Sequence, residues 1–264
     1  MDLGIENKLA VITGASSGIA KASAKALAAE GARLILTGRD ADSLERDTDD
    51  IPNVVDRVVV DVTDQSGADV LAASGLTAGG VDILVNTAGI TGAKGDPLQM
   101  TDEEFRACWE INFLGSVRIA RALVGQMVEK GWGRIVFTVS ENAVQPYPEE
   151  AVYNASKAAL LNYTKSASLA YGPKGVLINA VAPAFIETPM TDGMMDKRSD
   201  DLGVSKEEAI ESFLEEERPY LTLMRRGQPE EVASVMALLC SNVASFTNGS
   251  AYRVDGGAVG AMNS

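Results

Sequence analysis

The chain of 264 residues contains no histidine. Ser-His-Asp and Cys-His hydrolases are thereby excluded, and there is no imidazole for a zinc or iron site. Acid–base chemistry has to run on tyrosine, lysine or carboxylates, and no metal is expected. Cysteine is almost as scarce. Cys108 and Cys240 lie far apart in expected helices, which reads as two unpaired buried thiols in a reducing compartment rather than a disulfide. No apolar run reaches the ~18 residues of a membrane span. The N-terminal stretch 1–6 has neither the basic nor the apolar part of a secretory leader. The expectation is a cytoplasmic protein with no membrane partner. Positive charge is also short: 23 Lys and Arg stand against 37 Asp and Glu, for a net charge of −14. Nucleic acid is a poor partner as well, because binding phosphates needs clustered Lys and Arg.

What the chain does have is an alternation of short apolar runs with helical segments. Strands are expected at 9–13, 33–37, 54–60, 81–85, 134–139, 176–181 and 251–254. They read as largely apolar, the pattern of strands buried on both faces. Helices are expected at 18–30, 42–47, 101–130, 149–171 and 229–241. Gly31 stops the first, a Thr101/Glu104 capping box opens the third, and Gly131 closes it. Segment 63–76 is weakly patterned. No repeat, low-complexity tract or Pro/Ser linker interrupts the chain, so a single domain over 1–264 is expected. Strands alternating with helices, without hairpin signals, predict an α/β fold. Its form would be a Rossmann-type doubly wound parallel sheet of about seven strands, flanked by helices on both faces. Ligands bind outside the carboxyl ends of such strands. The excursion at about 184–227 follows one of those ends and reads as a substrate lid, with a helix over 205–217.

Two motifs carry chemistry. Tyr153 and Lys157 stand at i and i+4 on an expected helix, about 5–6 Å apart at Cβ. A phenol titrates near pKa ~10, and a nearby ammonium is one of the few ways to bring it toward neutral pH. The run Thr13-Gly14-Ala15-Ser16-Ser17-Gly18-Ile19-Ala20 joins the first strand to the first helix. Gly14 permits a tight turn, Gly18 lets backbone amides approach a pyrophosphate, and the helix N-terminus stabilises the anion. After the second strand, Arg39 is placed to meet the 2′-phosphate of NADP(H), and Gly38 removes an acidic side chain that would repel it. Asp40 keeps NAD(H) possible as the ribose ligand.

With these residues in order, the chain resembles the short-chain dehydrogenase/reductase family, the short single-domain type, over residues 6 to 258. Its markers here are the glycine turn, Asp61-Val62, Asn86-Thr87-Ala88-Gly89, Asn112, Ser140, Tyr153-x-x-x-Lys157, Pro183-Ala184 and Asp255-Gly256-Gly257. The resemblance implies Tyr153 as general acid or base, with Lys157 lowering its pKa and holding the nicotinamide ribose. It implies Ser140 orienting the substrate carbonyl and Asn112 holding a water that links Lys157 to solvent. Gly14, Ser16, Ser17, Gly18 and Ile19 would cradle the cofactor, Asp61 and Val62 flank its adenine, and Asn86, Ala88 and Gly89 line its path. Pro183, Ile186 and Thr188 would meet the nicotinamide end. Ala20, Thr87 and Ala184 depart from the family's usual residues.

The implied activity is ketone/secondary-alcohol interconversion on a small-molecule substrate, in a homotetramer built on helices 101–130 and 149–171. Within it, a 3-oxoacyl carrier-protein thioester would dock on Lys130, Arg134 and Lys174. An apolar alcohol would instead use Met194, Met195, Phe185 and Tyr147, while Glu141 meets a polar substrate or water. A non-catalytic nucleotide-binding regulator is the alternative from another class.

Overall fold

Residues that alternate between two buried faces need cover on both sides. In β1 (Leu9–Thr13) all five residues are buried: Ala10 and Ile12 pack on one face of the sheet, Leu9 and Val11 on the other. The computed structural model describes residues 2–262; Met1 of the N-terminal stretch and the last two residues of the expected 1–264 unit lie outside them. Six further strands follow: β2 (Arg33–Gly38), β3 (Val54–Val59), β4 (Ile83–Asn86), β5 (Gly133–Thr138), β6 (Val176–Pro183) and β7 (Ala251–Val254). They form a seven-stranded sheet in the order β3-β2-β1-β4-β5-β6-β7, with every pairing parallel. The order reverses between β1 and β4, which puts the crevice for a ligand at their carboxyl ends.

One face of the sheet is covered by α1 (Gly18–Ala29) and α9 (Pro229–Leu239) through Ala24, Leu27, Val232 and Met236. The other is covered by α3 (Gln65–Thr77), α5 (Ser116–Lys130) and α6 (Ala151–Tyr171) through Leu71, Ile119, Leu123 and Leu160. Burying each such Leu or Ile stabilises the fold by about 1.5–3 kcal/mol. The remaining helices are α2 (Ala41–Asp47), α4 (Asp102–Trp109), α7 (Pro189–Leu202) and α8 (Lys206–Glu217). Both cysteines are buried and free, and among the described residues no helix is long and apolar enough to cross a membrane.

Three elements differ from the sequence expectation. The weakly patterned segment is helix α3, and its glycines explain the weak pattern. A side chain at Gly75 would come within 2.6 Å of Val81, and one at Gly67 within 3.2 Å of the Asp61 carbonyl. Close packing needs glycine where helix propensity disfavours it. The helix expected over 101–130 runs through without a break in backbone conformation, but it takes a π-helical turn, Glu110–Gly115, between α4 and α5. The excursion after β6 holds a second helix, α7, opened by a Thr188/Thr191 capping box with Pro189 in its first turn. A bridge between Ile186 and Gly227 closes the base of that excursion.

The switch point is fastened by one buried hydroxyl. Thr13 Oγ1 accepts from the Thr87 amide at 3.0 Å and the Ala88 amide at 3.1 Å, and donates to Asn86 Oδ1 at 3.3 Å. Thr87 Oγ1 returns a hydrogen bond to the Thr13 carbonyl. Thr13→Val keeps the shape and strands both amides. It is expected to cost about 2–4 kcal/mol at roughly 1–3 kcal/mol per unsatisfied buried donor, read as a lower urea midpoint at unchanged slope.

Candidate active site

A cavity of about 780 Å³ opens along the carboxyl ends of the strands. Its first half is built from backbone. Gly14 and Gly18 turn with φ of 71° and 55°, in the left-handed region that costs a residue with a Cβ. A side chain at Gly18 would also come within 2.9 Å of Thr188 Cγ2. The α1 N-terminus is uncapped: Ser17 makes no side-chain bond to it, and no acidic residue occupies its first turn. Its free amides suit an anion. Ser16, Ser17, Ile19 and Ala20 line the cavity around them.

Further along, Gly38, Arg39 and Asp40 border the same cavity. Asp40 caps α2, accepting from the Ser43 amide at 2.8 Å, and this bond holds its carboxyl below the usual range. Asp61 is held low in the same way by the Thr63 amide and hydroxyl. Asp61 and Val62 line this end, and Ala88 and Gly89 follow β4 toward the centre. A pyrophosphate at the α1 N-terminus and a nucleoside beside Arg39 fit these residues.

At the centre, Ser140 ends the run after β5, and α6 brings Tyr153 and Lys157 to the same wall. Lys157 is buried. Its Nζ donates to the Thr138 carbonyl at 2.8 Å and lies 5.6 Å from the Tyr153 ring centroid. Burial pulls the ammonium down to about 8. Burial also pushes the Tyr153 phenol up, and the Glu141 carboxylate adds to this. Lys157 is expected from the sequence to lower that phenol. Desolvation dominates at that phenol, and the ammonium is turned toward Thr138.

Two expected residues stand behind the wall instead of facing the cavity. Asn86 is 2% exposed and is spent on Thr13 and Ser116; it braces β4 while Thr87, Ala88 and Gly89 take the lining positions. Asn112 is fully buried in the π-helical turn. Its Oδ1 accepts from the Ile90 amide at 2.8 Å, and its Nδ2 donates to the Ile90 carbonyl at 2.9 Å and to Ser156 Oγ at 3.0 Å. The carboxamide clamps the loop after β4 through these bonds. Pro183, Ile186 and Thr188 line the cavity as expected.

The far end carries charges that sequence spacing does not reveal. Glu141 is 3% exposed and Arg218 6%; Asn142 and Glu150 join them on the wall. Ser140 Oγ lies 2.6 Å from Glu141 Oε2 and donates to it. Desolvation pushes the Glu141 carboxyl up to about 7, against the pull of Ser140 and Arg218. Glu150 is held by Lys94 at 2.7 Å and Arg218 at 3.4 Å. Met190, Met194 and Phe185 supply the apolar lining. Met195 packs instead in the cluster of Phe185, Phe213 and Leu214, and Tyr147 lies under Arg218 at 3.4 Å. Arg134 is buried, donating to the Ser241 carbonyl, and Lys130 is tied to Asp82 at 3.0 Å. Those two leave no basic patch with Lys174.

A family model described as enoyl-(acyl carrier protein) reductase matches residues 14–259. The uncharacterised oxidoreductase YvaG of Bacillus subtilis (strain 168) is 34% identical over 265 residues, 98% of this chain and 98% of that protein. The 3-oxoacyl-[acyl-carrier-protein] reductase FabG of Thermotoga maritima is 34% identical over 261 residues, 97% of this chain and 99% of that protein. The solved structure of L-sorbose reductase from Gluconobacter frateurii, complexed with NADPH and L-sorbose, matches with a TM-score of 0.92 at 36% identity. It covers 99% of this chain and 100% of that one. A parallel sheet with its cavity at the switch point, and similarity along nearly the whole chain, lead to one assignment: this chain belongs to the short-chain dehydrogenase/reductase family of oxidoreductases.

Proposed function

We propose that the protein reduces a ketone to a secondary alcohol with NADP(H). The observation that carries this reading is the grouping of Ser140, Tyr153 and Lys157 on one wall of a cavity whose other half is an uncapped helix N-terminus. The bound nicotinamide supplies the hydride. Ser140 orients the carbonyl oxygen by a hydrogen bond, and Tyr153 delivers the proton to it. Lys157, held by Thr138, keeps a positive charge beside the ribose and the developing oxyanion. Burial keeps the Tyr153 phenol protonated, the form in which it can act as the acid in reduction. The NADPH and L-sorbose held by the related reductase support both cofactor and substrate type. Its similarity to FabG keeps a carrier-bound 3-oxoacyl group as a second reading, which the buried Arg134 and the engaged Lys130 disfavour.

The same reading makes the excursion at 184–227 a lid over the substrate, hinged where Ile186 meets Gly227. It favours NADP(H) over NAD(H), because Asp40 is occupied as the cap of α2 while Arg39 borders the cavity beside Gly38. A homotetramer would bury Phe105, Trp109, Leu114 and Leu169, apolar side chains that are 36–67% exposed in the single chain.

Tyr153→Phe is expected to lower kcat by about 10²–10⁴, the usual share of a general acid, with NADPH still bound in a fluorescence titration; turnover near that of the wild type would sink the reading. Glu141 is neutral below about pH 7 and charged above it, and Lys157 is charged below about pH 8 and neutral above it. A charged Glu141 holds the Ser140 proton, and a neutral Lys157 no longer supports the oxyanion, so both changes oppose reduction. The kcat/KM for reduction should therefore fall as pH rises through this range, and Glu141→Gln should retain only the step near 8. Arg39→Ala should weaken NADPH roughly 10- to 100-fold, the worth of one charged hydrogen bond, while leaving NADH unchanged. Sedimentation at micromolar concentration should give four chains per particle, and a monomer mass would overturn the tetramer.

A further inference from the structure

We propose that Asn142 is a positioning residue for the reduction: it holds the Ser140 hydroxyl at the point where the carbonyl oxygen has to be met. This deepens the ketone-reductase reading and rests on it.

Ser140 is followed by a 3₁₀ turn of three residues, Glu141–Ala143. A turn that short makes too few bonds of its own to keep one shape, so its conformation depends on what ties it down. Ser140 Oγ caps the turn, accepting from the Asn142 amide at 3.3 Å. That bond fixes the oxygen and leaves the O–H free to rotate about the Cβ–Oγ bond. The proton has Glu141 Oε2 at 2.6 Å and Asn142 Oδ1 at 3.1 Å within reach. Asn142 thus meets the hydroxyl with both its backbone and its side chain, and must itself be held for the hydroxyl to stay in place.

Its carboxamide supplies the hold. Asn142 is 3% exposed, and its Nδ2 donates to Glu150 Oε2 at 2.6 Å and to Asn154 Oδ1 at 2.8 Å. The direction of the carboxamide is determined by its partners. Asn154 Nδ2 donates to the Tyr147 carbonyl at 2.8 Å, which turns Asn154 Oδ1 toward Asn142. A flipped Asn142 would set its own oxygen against two acceptors, so Oδ1 is left facing Ser140. Glu150 is anchored in turn by Lys94 at 2.7 Å. The bonds run from Tyr147 through Asn154 and Asn142 to Ser140, and Asn154 is the neighbour of Tyr153 on α6. The hydroxyl that orients the carbonyl is thereby tied to the start of the helix that carries the proton donor. A reacting geometry displaced by about 1 Å can lose about 100-fold in rate, so a loosened turn shows in turnover.

The test is a double-mutant cycle. The fastest-reduced of a ketohexose, a 3-oxo ester and cyclohexanone serves as probe with NADPH, in single turnovers with enzyme in excess so that slow variants stay readable. Asn142→Ala removes the anchor, and Asn142→Asp keeps its volume but sets a carboxylate against Glu150. Each should lower the rate of hydride transfer by about 10-fold or more, with NADPH affinity unchanged in a fluorescence titration. In a Ser140→Ala background either substitution should cost less than about threefold further, because a residue that acts through a hydroxyl has nothing to act on once it is gone. Equal losses in the two backgrounds would overturn the proposal and leave the reductase reading intact, as would wild-type rates in both variants. Loss of NADPH binding in both would do the same, since the side chain would then be holding the fold and not the hydroxyl. A wild type that reduces none of the three ketones would overturn the reading beneath it.

Discussion

Parallel pairing of all seven strands sends every carboxyl end to one edge of the sheet. The cofactor half of the cavity follows from that constraint. Thr13, Gly38, Asn86, Thr138 and Pro183 each end a strand, and the residues next to them line the cavity or brace its wall. Where the strand order reverses, the helices after β1 and β4 diverge and leave a crevice. The Thr13 hydroxyl keeps that crevice from opening further, since it satisfies two amides at the start of the loop after β4. A hydrogen bond between uncharged groups is worth little net when made and considerably more when its partners are buried and left unmatched. This one is buried completely.

Electrostatics at the centre are a contest between desolvation and attraction. An ammonium beside a phenol favours the phenolate only if the two approach closely in a medium that does not penalise charge. Here the Lys157 ammonium is turned to the Thr138 carbonyl, and the carboxylate of Glu141 opposes any second negative charge. The phenol retains its proton and the lysine is the easier of the two to neutralise. Bound cofactor brings its own charges to this wall and would enter the same contest.

Much of the fold was legible because burial on both faces marks the central strands as apolar runs, and the glycine turn sat between the first run and an Ala-rich helix; the edge strands β3 and β7 are mostly not buried. The failures have physical causes. Helix α3 uses Gly67 and Gly75 for close approach, which a propensity reading counts against a helix. The π-helical turn at Glu110–Gly115 has no compositional signal, since one extra residue in a helical turn alters hydrogen bonding and not polarity. Helix α7 did carry a signal, Thr188-Pro189 with Thr191 three residues on, the N-cap and first-turn proline pattern. Asn86 and Asn112 stand out in the sequence, and in the fold their side chains are buried and bonded to neighbouring protein groups. A motif shows that a position matters without showing which way its side chain points.

The two halves of the cavity differ in how they are encoded. A pyrophosphate site made of backbone amides needs glycines at fixed spacing after a strand, so it persists in the sequence as a contiguous pattern. The substrate end is made of side chains delivered by separate elements: Glu141 from the turn after β5, Glu150 from the start of α6, Arg218 from beyond α8. Nothing in local spacing links them. Only the packing of Phe213, Met195 and Phe185 beneath the excursion and the stacking of Arg218 on Tyr147 bring the guanidinium to the carboxylates. Their desolvation is itself informative, because a buried charge left partly unmatched is costly and persists only where something repays it. The pair at the substrate end is 3.9 Å apart and both side chains are buried, so packing of separate elements sets its spacing.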